Sequence, residues 1–223
     1  MLRYAITDRH LLPGGEPDRH AALITLAAQW AASNIDYIQI REKDLSADDL
    51  RELTQAIVAA VHKQNPQTKV LLNGPAEIAF EAGADGVHLP SNAPRNTAAE
   101  ARSLFARSGR EAIVSHSCHS ITEVLRLREE SQRDPHATTA NTLILYAPVF
   151  EKIIPPQTPD QPPEKIQGQG LDALQAAVHA AGNIPVIALG GVTEENAATC
   201  LAAGAAGIAG IRLFLDASRP FIV

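Results

Sequence analysis

The chain has 223 residues, 45% of them hydrophobic and 20% charged, which suits a globular protein with a sizeable core and excludes a fibrous or low-complexity chain. Nineteen Lys and Arg against 25 Asp and Glu give a formal charge of −6, and no basic tract is interleaved with aromatics, so nucleic acid is not an expected partner. Cys118 and Cys200 are the only cysteines and lack C-x-x-C spacing, which argues against a disulfide framework or a zinc site. The opening MLRYAITDRH holds no apolar run long enough for a signal peptide or a membrane span, so a cytoplasmic protein without a membrane partner is the expectation.

In chain order, residues 2–7 read as a first strand, and Asp18 is the expected cap of a helix that carries Leu23, Leu26, Ala27, Trp30 and Ala31 on one face. Residues 35–40 form a second strand. Ser46 with Asp49 resembles a capping box, opening a helix with an apolar stripe through Leu50, Leu53, Ile57 and Val61. The strand Lys69–Leu72 breaks at Asn73-Gly74-Pro75, with Pro75 fitting the first turn of the next helix. Gly86–Leu89 is a fourth strand and residues 112–114 a fifth, each followed by a capping-box pattern, Thr97 with Glu100 in one case and Ser120 with Glu123 in the other.

Thr142–Tyr146 is the sixth strand. Residues 153–169 then hold five prolines and are expected as a loop over one rim. A helix over 171–181, a strand over 185–189, a helix capped by Thr193 and a strand over 208–211 follow. Only 12 residues remain after Ile211, too few for a full closing helix. That flank is expected to be thinly covered or buried by a partner subunit, which makes a homodimer the oligomer to look for.

Eight short apolar strands alternating with helices favour a single (β/α)8 TIM barrel across 1–223, with its last helix shortened or missing. An open doubly wound sheet is the runner-up, and usually has fewer strands. GADGVHL at 83–89 and GAAGIAGI at 204–211 share a rhythm that reads either as internal repetition or as two similar helix–strand turns.

In a barrel the C-terminal strand ends share one mouth. There, Gln39, Arg41 and Lys43 alternate within IQIREKD and point the same way, giving two cations suited to phosphate or diphosphate; the competing reading pairs Arg41 with Glu42 or Asp8 in rim salt bridges. Gly190-Gly191 ahead of the Thr193 helix, and Gly210-Ile211-Arg212 after the last strand, form the glycine-bearing pair of ends expected to bind phosphate through backbone N–H groups. In VSHSCHS, His119 is a candidate for proton transfer and Ser117 for a ligand hydrogen bond, while Cys118 reads as a small buried hydrophobe. His116 and His119 lack a suitable third metal ligand, so no metal site is expected there. His88 stands in an apolar strand, either as a satisfied inward-facing core histidine or as a ligand contact.

The motifs ITDR, IQIREKD, LLNGP, GADGVHLPS, SHSCHS, APVF and VIALGGVTEEN, spread from Tyr4 to about Phe214, resemble the thiamine phosphate synthase superfamily, including its TenI-type branch. The resemblance implies a TIM barrel that binds phosphorylated thiazole or pyrimidine molecules. Synthases of the superfamily usually carry Asn-Asp-Arg after the third strand and a later Asp after HLGQ, which hold Mg²⁺. This chain has Asn73-Gly74-Pro75 and His88-Leu89-Pro90-Ser91-Asn92-Ala93, and APVFEKIIPP replaces GPVFxTxTK. Lys152 and Lys165 are conceivable stand-ins for the missing Thr and Lys contacts.

The TenI-type pattern is closer: N-G after the third strand, HLPS after the fourth, S-x-H-S after the fifth. Carried over residue by residue, His119 matches that branch's acid/base histidine, and Gly190 and Gly191 match its phosphate loop. Asn73 would end its strand, help start the Pro75 helix and touch the ring or carboxylate of a ligand. The resemblance implies first an isomerase that aromatises a carboxythiazole phosphate tautomer without a cofactor. It implies next a thiamine phosphate synthase using Mg²⁺, and last a non-catalytic regulatory protein that binds thiazole phosphate.

Overall fold

The computed structural model describes residues 1–154 and 163–216. In chain order its elements are β1 (Leu2–Ile6), a 3-10 turn (Arg9–Leu11), α1 (Glu16–Ala32), β2 (Tyr37–Ile40), α2 (Ala47–Gln64), β3 (Lys69–Leu72), α3 (Ala76–Glu81) and β4 (Gly86–Leu89). Next come α4 (Thr97–Ala106), β5 (Ile113–Cys118), α5 (Ile121–Arg133), β6 (Thr142–Tyr146), β7 (Lys152–Ile154) and β8 (Glu164–Ile166). The last are α6 (Gly170–Ala181), β9 (Val186–Ala188), α7 (Glu194–Ala202), β10 (Gly207–Gly210) and a 3-10 turn (Arg212–Phe214). Eight strands close a barrel in the order β1-β10-β9-β6-β5-β4-β3-β2, every neighbouring pair parallel. The expected TIM barrel is therefore the fold, and the open sheet is not.

Strand alternation sorts the core into two layers. Tyr4, Ile6, Leu71, Leu143, Leu145, Ile187 and Ala209 fill the barrel interior. Their neighbours Ile38, Ile40, Val70, Leu72, Val87 and Val114 face outward onto the helices, against Leu23, Trp30, Leu53, Ile57 and Phe105. The same parity puts Gln39, His88, Ser115 and Ser117 on the inner face, in register with those apolar layers.

Several local expectations need correction. Gly15, not Asp18, caps α1; Asp18 lies three residues into the pattern and accepts the Gly15 N–H at 3.1 Å. Thr97 is the first residue of α4 and donates its hydroxyl to the Pro94 carbonyl at 2.8 Å, while Asn96 takes the cap position at φ 70°, so Thr97 and Glu100 make no capping box. Pro75 sits one residue before α3, and the Asn73 N–H continues the ladder to Ile40 (2.9 Å), so Asn73 ends the strand without starting the helix. Ser46 and Ser120 do cap α2 and α5, accepting from Asp49 and Glu123.

β5 runs on through Ser-His-Ser-Cys where the apolar signal stopped at Val114, because its inward serines find a polar partner in His88 on the neighbouring strand β4. The proline-rich stretch is more than a loop: β7 and β8 pair antiparallel at its base, tied by Lys165 Nζ to Glu151 at 2.7 Å, while 155–162 lie outside the described residues. After β10 a single 3-10 turn is described, and residues 217–223, on which the expected lack of a closing helix depends, lie outside the description. The carbonyl of buried Phe214 accepts the Trp30 indole N–H, so α1 is sealed on that flank. No helix among the described residues is long and apolar enough to cross a membrane.

Candidate functional site

A chain of hydrogen bonds crosses the barrel interior just below the mouth. Tyr4 donates its hydroxyl proton to Gln39 Oε1 (3.1 Å), and lies 2.8 Å from Ser115 Oγ. Ser115 Oγ is 2.9 Å from His88 Nδ1, and His88 Nε2 is 3.0 Å from Ser117 Oγ. Burial, with the charges of Arg41 and Lys43 added, pushes the His88 ring down to about 3, so the imidazole is neutral and carries one N–H. Proton accounting then fixes the direction of the chain. Tyr4 spends its proton on Gln39, so Ser115 must donate to Tyr4 and accept from His88 Nδ1–H. His88 Nε2 therefore accepts from Ser117, whose remaining lone pairs are left for a ligand donor. Of the two readings of His88, the satisfied interior histidine is the observed one, and it sets the hydroxyl of a site residue.

His116, between those serines, points to the other face of β5. Burial first, then Arg102, His88 and Arg126, pushes its ring down to about 3, and its Nε2 has no hydrogen-bond partner among the described residues. Both rings thus stay neutral in the folded chain down to about pH 3, while in the unfolded chain they protonate near 6.5. The unfolded state binds more protons in that window, so stability is expected to fall as pH drops from about 6.5 toward 3. The loss is at most about 1.4 kcal/mol per ring for each pH step of one. Urea unfolding across this range measures it; a flat profile contradicts the buried placement.

Arg41 and Lys43 make no side-chain hydrogen bond or ion pair with any described residue, so the rim salt bridge of Arg41 with Glu42 or Asp8 does not form. Glu42 is instead taken by its neighbours: it accepts the Thr7 hydroxyl at 2.6 Å and the Arg9 guanidinium at 3.0 Å. Asp44 is forked onto Arg9 at 2.8 and 2.5 Å. These bonds hold the Asp44 carboxyl far below its usual range, and burial opposes them only in part. Asp8 caps the following turn by accepting from the His10 N–H.

A magnesium centre wants several carboxylate oxygens. Glycine and alanine stand at the two family positions, 74 and 93, and Glu42 and Asp44 are already neutralised by Arg9. No group of three His, Cys, Asp or Glu among the described residues could hold a metal ion. The residues present do not fit Mg²⁺.

Across the mouth the loop after β6 lies on the loop after β9. Val149 N–H and Phe150 N–H donate to the Leu189 and Gly190 carbonyls at 2.9 and 3.0 Å. A Cβ on Gly191, whose φ is +67°, would fall 2.5 Å from the Glu151 carbonyl oxygen; one on Gly190 (φ +89°) would fall 2.8 Å from Pro148. The double glycine is thus required by this close approach as well as by the left-handed turn. The carbonyls are used, but the Gly190, Gly191 and Val192 N–H groups have no partner among the described residues, nor do those of Ile211 and Arg212 beyond β10. Five amide donors are therefore free at the ends of two adjacent strands, an arrangement suited to an anion. Gly210 itself packs against Leu213, and the exposed Arg212 side chain forms no ion pair with a described residue.

His119 stands exposed at the end of β5, with Nδ1 2.7 Å from the Ala147 carbonyl oxygen. A carbonyl only accepts, so Nδ1 carries the hydrogen and Nε2 is left as a base. Gln169 donates to the same carbonyl at 3.0 Å and accepts from Tyr146 at 2.6 Å. The Asn73 side chain, half-buried, has no hydrogen-bond partner among the described residues. Cys118 is buried, as expected. Lys165 is committed to Glu151 on the ribbon.

Sequence reasoning missed Tyr4 and Gln169, and it counts Thr7, Arg9 and Ser115 only among the polar residues at the strand ends, without their partners. Parity offered a signal for Tyr4 and Ser115, which alternate with apolar residues on inward positions. Nothing local connects Arg9 to Glu42, since that contact spans 33 residues.

The sequence profile of the thiamine monophosphate synthase family matches residues 3–214. A Corynebacterium jeikeium protein named thiamine-phosphate synthase is 31% identical over 90% of this chain and 85% of its own length. One of the same name from Neisseria meningitidis is 30% identical over 94% of this chain and 92% of its own. Among solved structures, thiamine phosphate pyrophosphorylase from Pyrococcus furiosus superposes with a TM-score of 0.69 at 22% identity, covering 94% of this chain and 85% of that one; at this identity the likeness speaks to the fold. With an eight-stranded barrel, a polar mouth and a profile match along nearly its whole length, the chain belongs to the thiamine monophosphate synthase family.

Proposed function

We propose that the protein is an enzyme of thiamine synthesis that binds a phosphorylated thiazole and a pyrimidine diphosphate at the barrel mouth and joins them, a transferase reaction. The names of its relatives support this reading over the isomerase that the motifs alone favoured. One observation carries the chemistry: two cations, Arg41 and Lys43, open onto the same mouth as five amide N–H groups at Gly190–Val192 and Ile211–Arg212, all without a partner among the described residues. The amides hold the thiazole phosphate. The cations meet the diphosphate, whose C–O bond breaks as the thiazole nitrogen forms its new bond to the pyrimidine methylene carbon. Charge developing on the departing group is neutralised by Arg41 and Lys43. Ser117, aligned by His88, accepts from an amino group on the pyrimidine.

A second reading, the aromatising isomerase, is favoured by the free Nε2 of His119 and by Gly74 and Ala93 in place of the aspartates. It needs the phosphate anchor and one proton shuttle.

Purified protein supplied with both substrates, with and without Mg²⁺, and separately with the carboxythiazole phosphate tautomer, distinguishes the readings. Thiamine phosphate is the expected product of the first mixture. Its absence, with tautomer consumption in the second, replaces the synthase by the isomerase. Ligand binding with neither reaction leaves a regulatory binding protein.

A further inference from the structure

Residues 41–44 alternate two cations with two anions, Arg-Glu-Lys-Asp, so the segment as written would neutralise itself and offer an anionic ligand little. It does not do so in the fold. The Arg9 side chain, only 3% exposed, comes from the loop after β1 and lies among the acidic side chains. Its Nη1 donates to Glu42 at 3.0 Å, its Nη1 and Nη2 fork onto Asp44, and its Nε donates to Glu16 at 2.8 Å. Its backbone N–H adds contacts to both Glu42 oxygens at 3.2 and 3.3 Å. The Thr7 hydroxyl completes the arrangement, donating to Glu42 and accepting the Arg41 N–H at 2.9 Å. Arg41 and Lys43 are left without a partner among the described residues.

We propose that Arg9 is a positioning residue for the anion site: by sequestering Glu42 and Asp44 it keeps Arg41 and Lys43 free to receive a diphosphate. This rests on the proposed phosphate-binding mouth and adds to it the residue that sets its charge. A carboxylate about 4 Å from a cation competes with about 1 kcal/mol in water and several-fold more near a protein surface. Arg suits the task where Lys does not, because its planar fork binds two carboxylates in fixed directions.

The test is calorimetric titration of inorganic pyrophosphate into the full chain, without added metal. Arg9→Gln is expected to weaken binding about tenfold by releasing the two acids onto Arg41 and Lys43. The triple variant Arg9→Gln, Glu42→Gln, Asp44→Asn is expected to recover affinity to within about threefold of wild type, because it removes the released charges. A purely structural role would not be rescued in this way. If Arg9→Gln fails to fold, Arg9→Lys alone and with Asp44→Asn make the same comparison with the net positive charge retained.

Equal affinity in wild type and the Arg9 variants, or a loss that the acid-to-amide changes do not restore, overturns the role of Arg9 while leaving the proposed function standing. No pyrophosphate binding by wild type removes the anion site itself, and with it both the proposed function and the inference.

Discussion

Under the isomerase reading, replacing His119 by Ala is expected to slow aromatisation of a carboxythiazole phosphate by about 10²–10⁴-fold, the usual worth of a positioned general acid or base. The effect should fall on turnover, with KM changed less than about threefold, because the ring supplies a proton acceptor and no charge to the phosphate. Its Nδ1–H is spent on the Ala147 carbonyl, which orients Nε2 as the free base. His119→Gln keeps a donor for that carbonyl without a base and is expected to be as slow as Ala; recovery in Gln alone would mean that the ring only props the loop after β6. Joining of the two thiamine precursors should fall less than about tenfold in either variant, since ionisation of a diphosphate needs charge neutralisation more than a base. A large loss therefore goes with the isomerase and a small one with the synthase. Undiminished tautomer turnover in His119→Ala would end the proton-shuttle role.

Arg102→Ala is expected to lower global stability by about 3–5 kcal/mol. Arg102 projects from α4, 2% exposed, and pairs with Asp134 at 2.8 Å, whose side chain is 5% exposed; a second donor reaches Thr142 Oγ1 at 2.8 Å. Burial pulls the guanidinium below its ordinary value, with Asp134 opposing. Removing the cation leaves the buried Asp134 charge with the His136 N–H at 2.9 Å in place of an ion pair, and costs the Thr142 hydroxyl one of its two partners, which is costlier than losing an exposed pair. For a chain of this size the melting temperature should drop on the order of ten degrees at neutral pH. Pairing Arg102→Met with Asp134→Asn is expected to recover much of the loss, because no buried charge is then left alone. A drop of less than about two degrees in the single variant would show that Asp134 finds other solvation.

The two structural ideas differ in how visible they were beforehand. The strand runs Lys69–Leu72 and Thr142–Tyr146 and the stripe Leu50, Leu53, Ile57, Val61 state their own conformation, since period and composition are properties of neighbours along the chain. The mouth residues followed from the same logic once eight strands were counted, because a parallel barrel brings all its C-terminal ends together. Local chemistry misled at two helix starts. Asp18 and Thr97 both carry capping side chains, yet Gly15 and Asn96 hold the cap positions, chosen by how the preceding turn enters the helix.

Length, composition and alternation were enough to favour a closed barrel over an open sheet and to set cations, glycines and a histidine at one rim. They could not say which ion meets which. Arg41 looks paired with Glu42 when read along the chain, whereas in space Glu42 belongs to Arg9, 33 residues away, and Arg41 has no side-chain partner among the described residues. Nor could they reveal that His88 is a neutral link between two serines of β5. Element type depends on short-range sterics and periodic burial. Charge pairing and protonation depend on distances and solvent access across loops that are remote in sequence, and those come into being only when the barrel closes.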